Sequence, residues 1–146
     1  MSEIEILLVE DNPDDLEMTL HALRQGGIAN RIQTTRDGAE ALDFIFCQGA
    51  FATRNMTDGP RMILLDLKLP KVDGKEVLTH IKGDVRTRKI PVIVMTSSQE
   101  QNDVVDSFDL GVNSYIVKPV DFDQFVEAVK QLGTYWLLLN QAQKAR

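Results

Sequence analysis

Five positions carry side chains that do chemistry if brought to one place: the acidic pair Glu10-Asp11, then Asp66, Thr96 and Lys118. Three carboxylates drawn within a few ångströms repel one another and raise their own pKa values unless a cation sits among them. A donor set made of oxygens points to a hard divalent ion, Mg²⁺ first and Mn²⁺ as the alternative, with phosphate oxygens completing its shell. Asp11 and Asp66 are the expected direct ligands, Glu10 a ligand through water, and the carbonyl of Lys68 a further oxygen. In such a site the Asp66 carboxylate is a nucleophile toward a phosphoryl group. The Lys118 ammonium covers one charged phosphoryl oxygen and the Thr96 hydroxyl donates to another. The product is an acyl phosphate, labile to water and therefore a timed state. Lys68, two residues past Asp66, reaches over the site and is expected to change the hydrolysis rate, with no sign assigned. Any one of these residues alone reads as a surface cap or an ion pair; their common position at the ends of apolar runs is what argues for a site.

Those runs are the elements that must position them. Ile4–Val9 reads as a strand ending on Glu10-Asp11, and Met62–Leu65 as a strand covered on both faces that ends on Asp66. Val92–Met95 ends on Thr96, and Ser114–Val117 is closed by Lys118-Pro119. Residues 31–35 alternate weakly and suit an edge strand. Between the strands lie helical patterns. Asn12 caps the first, Pro13 sits in its first turn, Leu16, Leu20 and Leu23 recur on one face, and Gly26-Gly27 ends it. Asp37 and Glu40 have capping-box spacing before Ala41, Leu42, Ile45 and Phe46, as do Asp73 and Glu76 before Val77, Leu78 and Ile81. Ser98 caps a helix with Val104, Val105 and Phe108 that stops at Gly111. Asp121 caps the last, whose sheet-facing stripe is Phe122, Phe125, Val126, Val129 and Leu132. Residues 48–60 lack periodicity and read as a long surface loop, either slack or a partner contact. Five β-α repeats make a doubly wound α/β fold with a five-stranded parallel sheet. The carboxyl ends of its strands are the edge where ligands bind.

The length of 146 residues fits one domain over 1–146, with 133–146 a C-terminal helical extension and no room for a separate output domain. A net charge of −6 disfavours nonspecific attraction to nucleic acid or anionic lipid. No basic and apolar leader and no run near the roughly 20 apolar residues of a membrane span is present. With Cys47 the single cysteine, a cytoplasmic protein is expected. Tyr135, Trp136, Leu137, Leu138 and Leu139 crowd the terminus. If Phe125, Val129, Leu132, Trp136 and Leu139 share one stripe, they form a helix seam for a homodimer. His21 and His80 lie in predicted helices without a ligand pattern and read as surface or boundary residues.

The motifs LLVEDNP, LLDLKLPKVDG, VMTSS and SYIVKP, in that order, resemble those of the receiver domains of two-component response regulators, from Ile4 to about Leu132. The resemblance implies the flavodoxin-like (βα)5 receiver fold with strand order 2-1-3-4-5, and a sensor histidine kinase whose phosphohistidine donates to Asp66. It also implies a cis Lys118-Pro119 bond and a switch in which Thr96 moves toward the phosphoryl group and Tyr115 fills the space it leaves. The long loop before the phosphoacceptor strand and the apolar terminus look most like the stand-alone cyanobacterial regulators paired with phytochrome kinases. The downstream partner is unnamed by the sequence. Rival readings are a phosphorylation-independent interaction module and a metal-dependent aspartyl-phosphate hydrolase; the latter wants a second acid two residues after its nucleophile, where Lys68 stands. A flavodoxin-like cofactor carrier would need a phosphate-cradling loop where Glu10-Asp11 stands. A dinucleotide fold would need GxGxxG after the first strand.

Overall fold

The computed structural model describes residues 6–25, 31–97 and 110–130. Its chain runs β1 (Ile6–Val9), α1 (Pro13–Gln25), β2 (Ile32–Thr35), α2 (Gly38–Ile45), β3 (Met62–Asp66), α3 (Gly74–Gly83), β4 (Val92–Thr96), β5 (Ser114–Val117) and α4 (Phe122–Lys130). The five strands are parallel in the order β2-β1-β3-β4-β5. Residues 31–35 thus form the expected edge strand, less the first of them. Register places Val9 beside Leu65, Asp66 beside Met95, and Thr96 beside Val117, so the strand ends that carry chemistry form one rim.

The apolar runs of β1, β3 and β4 are buried along their whole length because both faces are covered. On one face Ile6, Leu8, Leu64 and Met95 pack with Leu23 of α1 and Phe125, Ala128 and Val129 of α4. On the other Leu7, Val9, Leu65 and Val94 pack with Phe44 and Ile45 of α2 and Val77, Leu78 and Ile81 of α3. Burial of each such Leu or Ile contributes roughly 1.5–3 kcal/mol, so the rim is carried by the most firmly held part of the chain.

Helix starts follow the sequence with two departures. Asn12 Oδ1 accepts from the N–H groups of Asp14 (2.9 Å) and Asp15 (3.0 Å), and Asp121 Oδ1 from that of Gln124 (2.8 Å). Asp37 Oδ1 accepts from the Glu40 N–H at 2.7 Å, but Glu40 returns its bond to the N–H of Arg36, not to that of Asp37. The capping box expected of Asp73 and Glu76 does not form. Asp73 makes no side-chain cap bond, Gly74 N–H donates instead to Leu67 O (3.1 Å), and Glu76 turns toward His80 at 3.9 Å. The first N–H of α3 is thus met by a backbone carbonyl just past β3.

Residues 48–60 are not slack. Two 3₁₀ turns, Gly49–Phe51 and Met56–Asp58, fold the segment against α2. Phe51 meets the Phe44 ring edge-on at 5.1 Å, and the Arg54 guanidinium stacks 3.8 Å over Phe44 while donating to Gly59 O at 3.0 Å. Gly59-Pro60 is cis.

The proposed dimer seam is corrected at its start. Phe125 and Val129 are each 2% exposed and belong to the core beneath α4, because the same stripe faces the sheet. Leu132, Trp136, Leu139 and the expected extension 133–146 lie outside the described residues, as do Ile4, Gly26-Gly27 and the helix expected around Val104, Val105 and Phe108. Among the described residues, no helix is long and apolar enough to cross a membrane.

Candidate functional site

The side chains at the rim arrive from the ends of four strands. β1 ends and hands over Glu10 and Asp11 before Asn12 turns the chain into α1. β3 delivers Asp66, 3% exposed, and β4 delivers Thr96, likewise buried. The Lys118-Pro119 bond is cis, as the resemblance implied, and Lys118 reaches back across β4 and β3. Glu10, Asp11 and Asp66 offer oxygens that all lie within 4.8 Å of one another. The Lys118 ammonium lies 2.7 Å from Glu10 Oε1 and 3.0 Å from Asp66 Oδ2. Asp66 Oδ1 accepts from the N–H of Lys68 at 3.1 Å, so both oxygens of Asp66 have a fixed donor.

Electrostatics follow from burial and crowding. Glu10 is fully buried, and loss of water raises its pKa from 4.5 to about 8, with the Asp66 carboxyl adding to the rise and Lys118 opposing it. Burial disfavours the charged form of Lys118, yet hydrogen bonds and charge from Glu10 and Asp66 outweigh it and hold the ammonium above its ordinary range. The cluster therefore carries an excess of negative charge that one ammonium does not balance. Its donors are oxygens, two buried and one exposed to solvent at Asp11, which is the chemistry of a hard divalent cation with part of its water shell retained.

The Thr96 hydroxyl donates to Ser97 O at 3.1 Å. Tyr115 stands on the edge strand β5, where alternation turns Ser114 and Ile116 inward and leaves Tyr115 46% exposed. Thr96 thus joins the rim and Tyr115 does not. One residue of the cluster escaped sequence reasoning. Asp15, on the first turn of α1, places Oδ2 3.2 Å from Lys118 Nζ. Its signal was present in the run EDNPDD, in which Asp15 follows Asp11 by one helical turn and so comes back over the same rim.

The profile of the response regulator receiver domain matches residues 6–130. The chain belongs to that family. It is 42% identical over 137 residues to the probable methanogenesis regulatory protein FilR2 of Methanothrix harundinacea, covering 94% of this chain and 86% of FilR2. It is 37% identical over 132 residues to the response regulator Rcp1 of Synechocystis, covering 90% and 88% of the two chains. Among solved structures it resembles the bacteriophytochrome response regulator RtBRR at TM-score 0.83 and 52% identity, over 91% of this chain and 79% of that one. It also resembles the Mn²⁺-bound form of Rcp1 at TM-score 0.73, 37% identity and coverage of 90% and 93%. The family is one of signalling receivers, and this receiver stands close to the phytochrome response regulators. The sheet order and flanking helices agree with the receiver fold, and the acidic cluster is a group of oxygen donors that could hold a metal ion.

Proposed function

We propose that Asp66 is the phosphoacceptor of a Mg²⁺-dependent transfer from the phosphohistidine of a sensor histidine kinase, and that the phosphorylated chain relays the signal by a changed interaction surface. The observation that carries this reading is the meeting of Asp66 with Glu10, Asp11 and the Lys118 ammonium at one rim. An oxygen of Asp66 attacks phosphorus while the bond from phosphorus to the imidazole nitrogen breaks and its electron pair returns to the ring. Asp11, Asp66, the Lys68 carbonyl and, through water, Glu10 would hold Mg²⁺, which when bound would neutralise charge on the phosphoryl oxygens. Lys118 covers a second oxygen from its place beside Asp66 Oδ2. Thr96 exchanges the Ser97 carbonyl for a phosphoryl oxygen, and Tyr115 turns inward into the space vacated. The likeness to Rcp1 and RtBRR supports a phytochrome-type kinase as the donor. A homodimer formed through Leu132, Trp136 and Leu139 completes the reading.

Intact mass after incubation with Mg²⁺ and acetyl phosphate, or with a phosphorylated histidine kinase, tests it. Wild type gains about 80 Da and Asp66→Ala gains nothing. Equal gain in the variant, or no gain in folded wild type with either donor, overturns it. Running the kinase arm with a phytochrome kinase in darkness and under red light tests the light input. Sedimentation of wild type and Trp136→Ala tests the dimer.

A further inference from the structure

We propose that Asp15 is a positioning residue that holds the Lys118 ammonium at the outer side of the site, ready for the phosphoryl group. The inference deepens the reading of Asp66 as phosphoacceptor and rests on it.

An ammonium has three donors. In this chain Lys118 donates to Asp66 Oδ2 at 3.0 Å and to Asp15 Oδ2 at 3.2 Å, and lies 2.7 Å from the carboxyl oxygen Oε1 of Glu10. The three anchors differ in depth. Glu10 and Asp66 are buried, while the Asp15 side chain is 34% exposed and stands on a different element. The incoming phosphoryl group approaches from solvent, so the ammonium must remain outward of Glu10 to meet it. Held by Glu10 and Asp66 alone, it has two deep partners and none on the solvent side.

Asp15 is itself held. Its N–H donates to Asn12 Oδ1 at 3.0 Å, and the N–H of Asn12 donates to Glu10 Oε2 at 3.2 Å. Three hydrogen bonds, Lys118 to Asp15, Asp15 to Asn12 and Asn12 to Glu10, together with the Lys118–Glu10 ion pair, thus link the start of α1 to the residue after β5. These links place the outer anchor relative to the inner one, so the ammonium has a defined position before any phosphoryl group arrives. Preorganisation of this kind acts on the transfer step more than on binding of the donor.

Time courses of phosphoryl uptake by intact mass, at saturating Mg²⁺ and varied acetyl phosphate, test the proposal with wild type, Asp15→Ala, Asp15→Ser and Asp15→Asn. Ala and Ser lack an acceptor that reaches Lys118. Asn keeps one without the charge. We expect Ala and Ser to lower the maximal rate about 5- to 50-fold, with little change in the half-saturating acetyl phosphate concentration. Asn stays within about twofold of wild type. A loss of helix stability alone would not produce this split or be rescued by Asn. Wild-type rates in Ala and Ser overturn the proposal, as does an Asn variant equal to Ala, which assigns the effect to charge alone. Faster uptake in all three variants overturns it too, by making Asp15 a repeller of the anionic donor. Failure of wild type itself to take up phosphoryl at Asp66 overturns instead the reading on which the proposal rests.

Discussion

Raising the pH of the metal-free protein should destabilise it across the neutral range, which is the reverse of what paired surface carboxylates do. The group responsible is Glu10, whose burial lifts its pKa from 4.5 to about 8. Between those values the folded chain holds a proton that the unfolded chain has released, so stability is full below about 4.5 and is lost as pH rises through about 8. Each pH unit inside the window costs about 1.4 kcal/mol, so moving from pH 5.5 to 7.5 costs about 2–3 kcal/mol. Urea unfolding in EDTA at these two pH values measures it directly. Glu10→Gln, neutral at both, should flatten the dependence. Metal binding at neutral pH must displace the proton, so calorimetric titration with Mg²⁺ in two buffers of different ionisation enthalpy should record release approaching one proton. Stability that is flat or rising between pH 5.5 and 7.5 in EDTA, or an undiminished slope in Glu10→Gln, would refute the assignment.

Three further substitutions probe the scaffold around the site. A Cβ at Gly38 would lie 1.7 Å from Val72 O, in backbone that α2 pins beside the Asp66 loop, so Gly38→Ala should cost 2 kcal/mol or more, on the order of severe overpacking, in urea unfolding. Arg54→Ala removes the stack on Phe44 and the bond to Gly59 O, and should cost about 1–2 kcal/mol while speeding amide exchange in residues 48–60. Thr35 is buried and its hydroxyl has no hydrogen-bond partner among the described residues, so Thr35→Val should raise stability by about 1 kcal/mol in the same unfolding assay.

Much of the site could be read before the fold was seen because its residues close apolar runs. Glu10, Asp66, Thr96 and Lys118 each follow a run too short for a helix and too apolar for a loop, and strand ends in a parallel sheet share one rim. Asp15 was missed because a carboxylate in a helix's first turn is ordinarily a favourable partner of the helix dipole and needs no other explanation. The 48–60 segment was missed because its order comes from one cation stacked on an aromatic ring and two 3₁₀ turns, none of which has a period. At α4 the difficulty was of another kind. Phe125 and Val129 make a continuous stripe, and the pattern of a stripe is the same whether the surface beneath it is the chain's own sheet or a second copy.

Local chemistry in the sequence was enough to settle the alternation of strands and helices, the burial of the central strands on both faces, and which residues terminate them. These depend on residues a few positions apart. Tertiary structure decided how closely the terminal side chains approach one another and that Asp15 joins them. The weak alternation of residues 31–35 marked β2 as an edge strand, whereas the partly exposed positions of β5 follow from its place at the other edge and are not written in its segment alone. The Lys118 ammonium joins Asp66 across 52 positions of sequence and Asp15 across 103. No periodicity spans such distances; the contacts exist because the sheet order β2-β1-β3-β4-β5 brings β5 within a lysine's reach of β3 and of the helix that follows β1.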